Sequence, residues 1–197
     1  MPPTEENMGR LLLTAWACTA VLWGQEFKLG SQVSDFGIKD VQGNAVQFSS
    51  LKGDVTVVLF IATQCPVSNA YNERMKALYT DYTPKGVKFV FINANRTEPA
   101  AEVARHTQEH GFPFQVFKDD DNVTADRFGA TVTPEAFVLD RTGTIRYHGS
   151  VDDSQAIERV QTQRLRNALE AVLAGRAVES PETKAFGCTI KRVKKAT

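Results

Sequence analysis

Val55-Thr56-Val57-Val58-Leu59-Phe60-Ile61 runs through Ala62-Thr63-Gln64 into Cys65-Pro66-Val67-Ser68 and on to Asn69-Ala70-Tyr71-Asn72-Glu73-Arg74-Met75. The first seven residues form an almost unbroken β-branched and apolar run. A strand with one wet face would alternate, so this run predicts a strand buried on both faces, at the centre of a covered sheet. The polar stretch after it predicts a helix from Cys65 to about Tyr82, stopped before Thr83-Pro84-Lys85-Gly86. Cys65 thus sits where a strand becomes a helix. Unpaired backbone N–H groups and the positive helix end both favour the thiolate there, which is the reactive form of cysteine.

Outward from this junction the pattern repeats. Val87–Asn93 reads as a second central strand, Pro99–His110 as a polar helix and Phe114–Phe117 as a strand. Val123–Phe128 reads as a short helix closed by Gly129. Ala136–Leu139 and Thr144–His148 read as a hairpin around Asp140-Arg141-Thr142-Gly143. Ser154–Ala174 reads as an amphipathic helix with Ile157, Val160, Leu165, Leu169, Val172 and Leu173 on its apolar side. Before the junction, Phe36–Ile38 and Ala45–Phe48 read as short strands. Alternating βαβ units with a final hairpin and helix predict an α/β fold, a central mixed sheet with helices on both faces.

The chain has 197 residues, with 23 basic and 23 acidic side chains and a formal net charge of zero. No basic excess exists to neutralise phosphates, so a general nucleic-acid or membrane-surface partner is not expected. Arg10 followed by the apolar stretch Leu11–Trp23 and then Gly24-Gln25-Glu26 predicts a secretory signal peptide over residues 1–24, an uncleaved N-terminal anchor being the alternative. The expected organisation is a signal at 1–24, one domain at 25–174 and a tail at 175–197. The expected location is extracytoplasmic, either periplasmic or secreted. Cys18 falls in the apolar stretch, which leaves Cys65 and Cys188 in the mature protein.

From Leu29 to Leu173 the sequence resembles the thioredoxin-like redoxins of the AhpC/TSA type, which include extracytoplasmic thiol–disulfide proteins. Cys65-Pro66-Val67-Ser68, Thr133-Pro134-Glu135 before a strand and the Asp140–Gly143 turn carry the resemblance. It implies a thioredoxin-like fold with an extra βα insertion, and a cis Pro134 beside Cys65, with the backbone of Thr133 turned to the substrate. Two departures matter. Ser68 stands where thioredoxins carry their second cysteine, so a local dithiol is absent. Val58 and Ala62 stand where typical peroxiredoxins carry proline and threonine, with Thr63 adjacent, which weakens the expectation of peroxidase activity.

The implied activity is that of a thiol-dependent oxidoreductase, with Cys65 as nucleophile and Ser68, Thr133 and Pro134 positioning it. The partners implied are a disulfide or peroxide substrate and an external thiol reductant, with no cofactor and no metal. Cys188, in Ala185-Phe186-Gly187-Cys188-Thr189 of a loop-like tail, is the candidate second sulfur. Three outcomes are open for it: a resolving cysteine, a static bridge to Cys65, or no contact. A static bridge would make the protein a non-catalytic domain. A copper-binding chaperone like the Sco-type proteins is a further alternative, using Cys65, Cys188 and His148. His106 and His110 share a helix face and are expected to be solvated rather than metal-bound.

Overall fold

The computed structural model describes residues 26–194. The expected signal peptide at 1–24, with Cys18, lies outside the described residues. The elements run β1 (Gly37–Asp40), β2 (Ala45–Gln47), β3 (Val55–Ile61), α1 (Pro66–Asn69), α2 (Asn72–Tyr82), β4 (Val87–Asn93) and α3 (Ala100–Glu109). Then follow β5 (Val116–Lys118), α4 (Val123–Phe128), β6 (Val132–Thr133), β7 (Glu135–Leu139), β8 (Ile145–Gly149), α5 (Arg164–Leu173) and β9 (Cys188–Thr189).

Seven strands make one mixed sheet in the order β2-β1-β5-β4-β3-β7-β8, and β6 pairs with β9 apart from it. β3, β4 and β5 are parallel; the other pairings are antiparallel. This is the α/β thioredoxin-like architecture.

The run at β3 is apolar because both of its faces are covered. Val55, Val57, Leu59 and Ile61 pack with Met75 and Leu78 of α2 and with Leu165 and Leu169 of α5. Val58 and Phe60 pack on the other face with Phe36, Phe48, Phe128 and Phe137. Every β3 side chain is buried, and strand alternation sends successive residues into two different cores.

Two expected helices differ from the sequence reading. The helix after Cys65 is broken between α1 and α2. Tyr71 turns inward, its N–H bonding Ser68 O three residues back and its hydroxyl donating 2.9 Å to the Ser154 carbonyl. The helix expected from Ser154 begins only at Arg164. Arg74 donates to the carbonyls of Ser154 and Gln155, which takes those acceptors away from a helical turn. The amide of Asp153 bonds Thr162 O and its carboxylate accepts from Gln161 N, closing the segment as a loop. Ile157 is 68% exposed, so its apolar character marks no core face.

The tail is also more ordered than a loop. Its residues cross the end of the sheet: His148 N–H bonds Pro181 O and Thr183 N–H bonds His148 O. Gly149 makes this crossing feasible, since a Cβ there would lie 2.0 Å from Thr183 Oγ1.

Candidate active site

Cys65 is the residue before α1, in extended backbone (φ −88°, ψ 115°), with Pro66 opening the helix. Its Sγ accepts the Ser68 N–H at 3.3 Å. Because α1 is a single turn, this one amide, rather than the field of a long helix, is what meets the sulfur. Ser68 is fully buried, and its Oγ accepts the Ala62 N–H at 3.0 Å. The serine therefore ties the end of β3 to the start of α1 and presents its own amide to Cys65. Cys65 itself is 3% exposed.

Cys188 is disulfide-bonded to Cys65 across 123 residues, with Cα atoms 5.8 Å apart. That separation lies in the range a bridge spans without backbone distortion. Of the three outcomes the sequence left open, absence of contact is overturned. Cys188 stands opposite Thr133 in the β6–β9 pairing, and Val132 stands opposite Thr189. Downstream, Ile190 is buried and its N–H bonds Thr131 O, Lys191 N–H bonds Asn95 Oδ1, and Val193 N–H bonds Asn122 Oδ1. The cysteine is held from both sides.

The peptide between Thr133 and Pro134 is cis. The Thr133 carbonyl oxygen lies 3.5 Å from Cys65 Sγ. Its hydroxyl is buried, with no hydrogen-bond partner among the described residues. Glu135, buried immediately after the proline, holds this loop in shape. Its Oε2 accepts the N–H groups of Thr131 and Val132, and its Oε1 accepts from His148 Nε2 at 2.6 Å. His148 stacks on Phe137 with ring centroids 4.3 Å apart.

Sequence reasoning missed the acidic support under the loop before Cys65. Glu98 is buried, and its carboxylate accepts the N–H groups of Thr63 and Gln64 and the side-chain amides of Asn93 and Asn95. Lys118 completes the cluster, donating to Asn93 Oδ1, Asn95 O and Glu98 O. Burial pushes the Lys118 ammonium below the usual lysine range. The available signal was Asn93 and Asn95, polar residues where the apolar β4 run should have continued.

Glu102 adds a second carboxylate to the same loop. The Thr63 hydroxyl bond holds its pKa down, against partial burial and helped by Gln64. A folded value below the unfolded one, about 4.3, gives stability that is present above that pH and lost as pH falls through the folded value. Glu102→Ala is expected to lower the melting temperature by about 2 °C at pH 7. In thermal unfolding the gap should narrow as pH falls below the unfolded value and through the lower folded one; a gap independent of pH would show that the carboxylate's charge is not involved.

Thr63, adjacent to the position where peroxiredoxins carry threonine, donates its hydroxyl to Glu102 rather than turning to the sulfur. His148 is engaged by Glu135, and His106 Nε2 bonds Asn69 Oδ1 at 3.0 Å. Among the described residues no three His, Cys, Asp or Glu side chains stand together as a metal site, and no helix is long and apolar enough to cross a membrane.

A thioredoxin-like sheet, a half-cystine at the β3–α1 junction and a cis-proline loop against its sulfur define a redoxin. The AhpC/TSA family model matches residues 29–148, and the chain belongs to that family. Its fold is similar to that of a conserved protein from Geobacillus kaustophilus, 33% identical with a TM-score of 0.80 over 86% of this chain and 95% of that one. A protein from Sinorhizobium meliloti 1021 is 28% identical, with a TM-score of 0.78 over 87% of this chain and 98% of that one. The thiol-disulfide oxidoreductase ResA of Halalkalibacterium halodurans is 27% identical over 118 residues, which are 60% of this chain and 66% of the relative. The match thus spans just under two thirds of that relative.

Proposed function

We propose that the protein is an extracytoplasmic thiol–disulfide oxidoreductase that cycles between the Cys65–Cys188 disulfide and the corresponding dithiol. The observation that carries this reading is the bond between the two cysteines, made beside cis-Pro134 by a tail residue 123 positions from Cys65. The distant cysteine supplies the second sulfur that Ser68 cannot. In the reducing direction the Cys65–Cys188 dithiol becomes the disulfide as a substrate disulfide is reduced to two thiols, and an external thiol, itself oxidised to a disulfide, returns the pair to the dithiol. Two electrons and two protons move in each cycle.

Ser68 and Thr133 act as positioning residues here. The Ser68 amide stabilises a Cys65 thiolate, and Thr133 with Pro134 fixes the wall against which the sulfur lies. The similarity to an oxidoreductase named for this chemistry supports the reading. The basic-then-apolar N-terminus supports the location. Peroxide reduction would use the same pair: the Cys65 thiolate attacks one peroxide oxygen, the O–O bond breaks and water or an alcohol leaves, Cys188 displaces water from the sulfenic acid to form the disulfide, and an external thiol reduces it.

The test is a redox titration in glutathione buffers together with turnover of a small disulfide substrate. Cys65→Ser and Cys188→Ser are each expected to lower turnover at least 100-fold. A bridge that stays oxidised at potentials below about −300 mV would make it structural and overturn the proposal. Peroxide consumption by the wild type no faster than by Cys65→Ser would remove the peroxide branch alone.

A further inference from the structure

We propose that Cys188, not Cys65, is the sulfur that external thiols attack, so that the mixed disulfide forms on the tail and Cys65 serves as the internal thiolate. This rests on the thiol–disulfide reading above and assigns the two sulfurs unequal tasks within it.

Three observations carry it. The first is access. Cys65 is 3% exposed, whereas Cys188 is half-buried between the exposed residues Gly187 and Thr189. Displacement at sulfur depends on which of the two sulfurs can be reached. The second is the leaving group. Cys65 Sγ already accepts the Ser68 N–H, so the electron pair released on cleavage finds a donor in place. The better-stabilised thiolate departs more readily, which favours attack on the other sulfur. The third is the occupancy of the cis-proline wall. The tail residues Cys188 and Thr189 pair with Thr133 and Val132, and Gly187 packs on the Thr133 carbonyl. An extended partner therefore cannot reach Cys65 by pairing with Thr133, because this chain's own tail is already there.

A thiolate RS⁻ attacks Cys188 Sγ; the RS–Sγ bond forms, the Cys65–Cys188 bond breaks, and the pair goes to Cys65 as thiolate. A second RS⁻ attacks the sulfur of the attached R group, releasing Cys188 thiolate and RSSR. Two thiol protons end on the two cysteines. The anchors at Ile190, Lys191 and Val193 allow the adduct to form with the tail in place. In reverse, a substrate disulfide is opened by Cys188, and Cys65 thiolate then resolves it.

Oxidised full-length protein is mixed with reduced glutathione, quenched in acid within seconds, alkylated and digested with trypsin. Cys188 is then on Ala185–Lys191, well separated from the peptides carrying Cys65 and Cys18. The expected result is glutathione on Cys188 at least tenfold in excess over Cys65, with alkylation of Cys65. Glutathione mainly on Cys65 overturns this assignment while leaving the exchange reading intact. A disulfide that yields no adduct and no free thiol overturns the exchange reading and this assignment with it. As a second measure, reduced Cys65→Ser should react with oxidised glutathione at least tenfold faster than reduced Cys188→Ser; equal or inverted rates count against the assignment.

Discussion

Gly187→Ala is expected to remove most of the Cys65–Cys188 disulfide under conditions that keep the wild type fully oxidised. A Cβ at this position would lie 1.9 Å from the Thr133 carbonyl oxygen and 2.7 Å from its carbon, with the backbone at φ +154°. The carbonyl cannot give way cheaply. The loop that carries it is tied by two N–H bonds to the buried Glu135 carboxylate. The tail must move instead. With the Cα atoms 5.8 Å apart, a shift of little more than an ångström carries Cys188 to the edge of bridgeable geometry. Backbone strain and overpacking together are expected to cost about 3 kcal/mol. Thiol counting on non-reduced protein reads the bridge, and urea unfolding reads the stability. Making the same substitution on a Cys188→Ser background isolates the steric cost from the lost crosslink. Wild-type oxidation and an unchanged urea midpoint would show that the tail does not pass this close to Thr133.

The β3–α1 junction was legible because strand burial leaves a direct mark in composition. A strand covered on both faces cannot tolerate polar side chains, so Val55–Ile61 shows its place without any knowledge of what covers it. The 154–163 segment, helical in its sequence pattern, departs from an α-helix for a non-local reason. Ile157 and Val160 have helical spacing, but Arg74 and Tyr71 claim the carbonyls that a helix would need. Those donors lie about eighty positions away in the chain, and no local window contains them. A periodic pattern fixes a helix only where the backbone acceptors remain free.

The site divides in the same way. Cys65, Ser68 and cis-Pro134 belong to local motifs and could be placed from sequence. Glu98 and Glu135 could not, because each acts by collecting N–H groups from segments remote from it or from a loop whose shape is known only once folded. Cys188 stood between these cases. Its residue type and the preceding glycine were visible, but the two-residue strand that sets it opposite Thr133 is too short to leave a periodic signal. What brings the sulfurs together is the set of tail anchors on either side, all of them non-local. The tail is therefore part of the folded site rather than an arm that visits it.

Reducing the disulfide is expected to lower the unfolding free energy by about 5 kcal/mol without undocking the tail. The bridge closes a loop of 123 residues, and in the chain-entropy account that much restraint on the denatured chain corresponds to about 5 kcal/mol. In urea this is a fall in midpoint of about 2 M. The anchors decide what happens to the native state. Ile190 stays buried with Phe128 and Phe137, and its backbone neighbours keep their bonds to Asn95 and Asn122, none of which involves sulfur. The slope of the urea transition should therefore hold or rise, because the uncrosslinked denatured chain exposes more surface while the native chain exposes no more. A falling slope would mean that Ile190 has left the core and that the tail docks only when bonded. A loss below about 1 kcal/mol would mean that the denatured chain is already compact enough to make the restraint nearly redundant. Retention of the tail in the reduced state also has a functional consequence: once a substrate disulfide has formed a mixed disulfide on one cysteine, the other thiolate is already within reach to displace the substrate thiol, so this resolving step needs no search by a free segment and its rate should be independent of solvent viscosity.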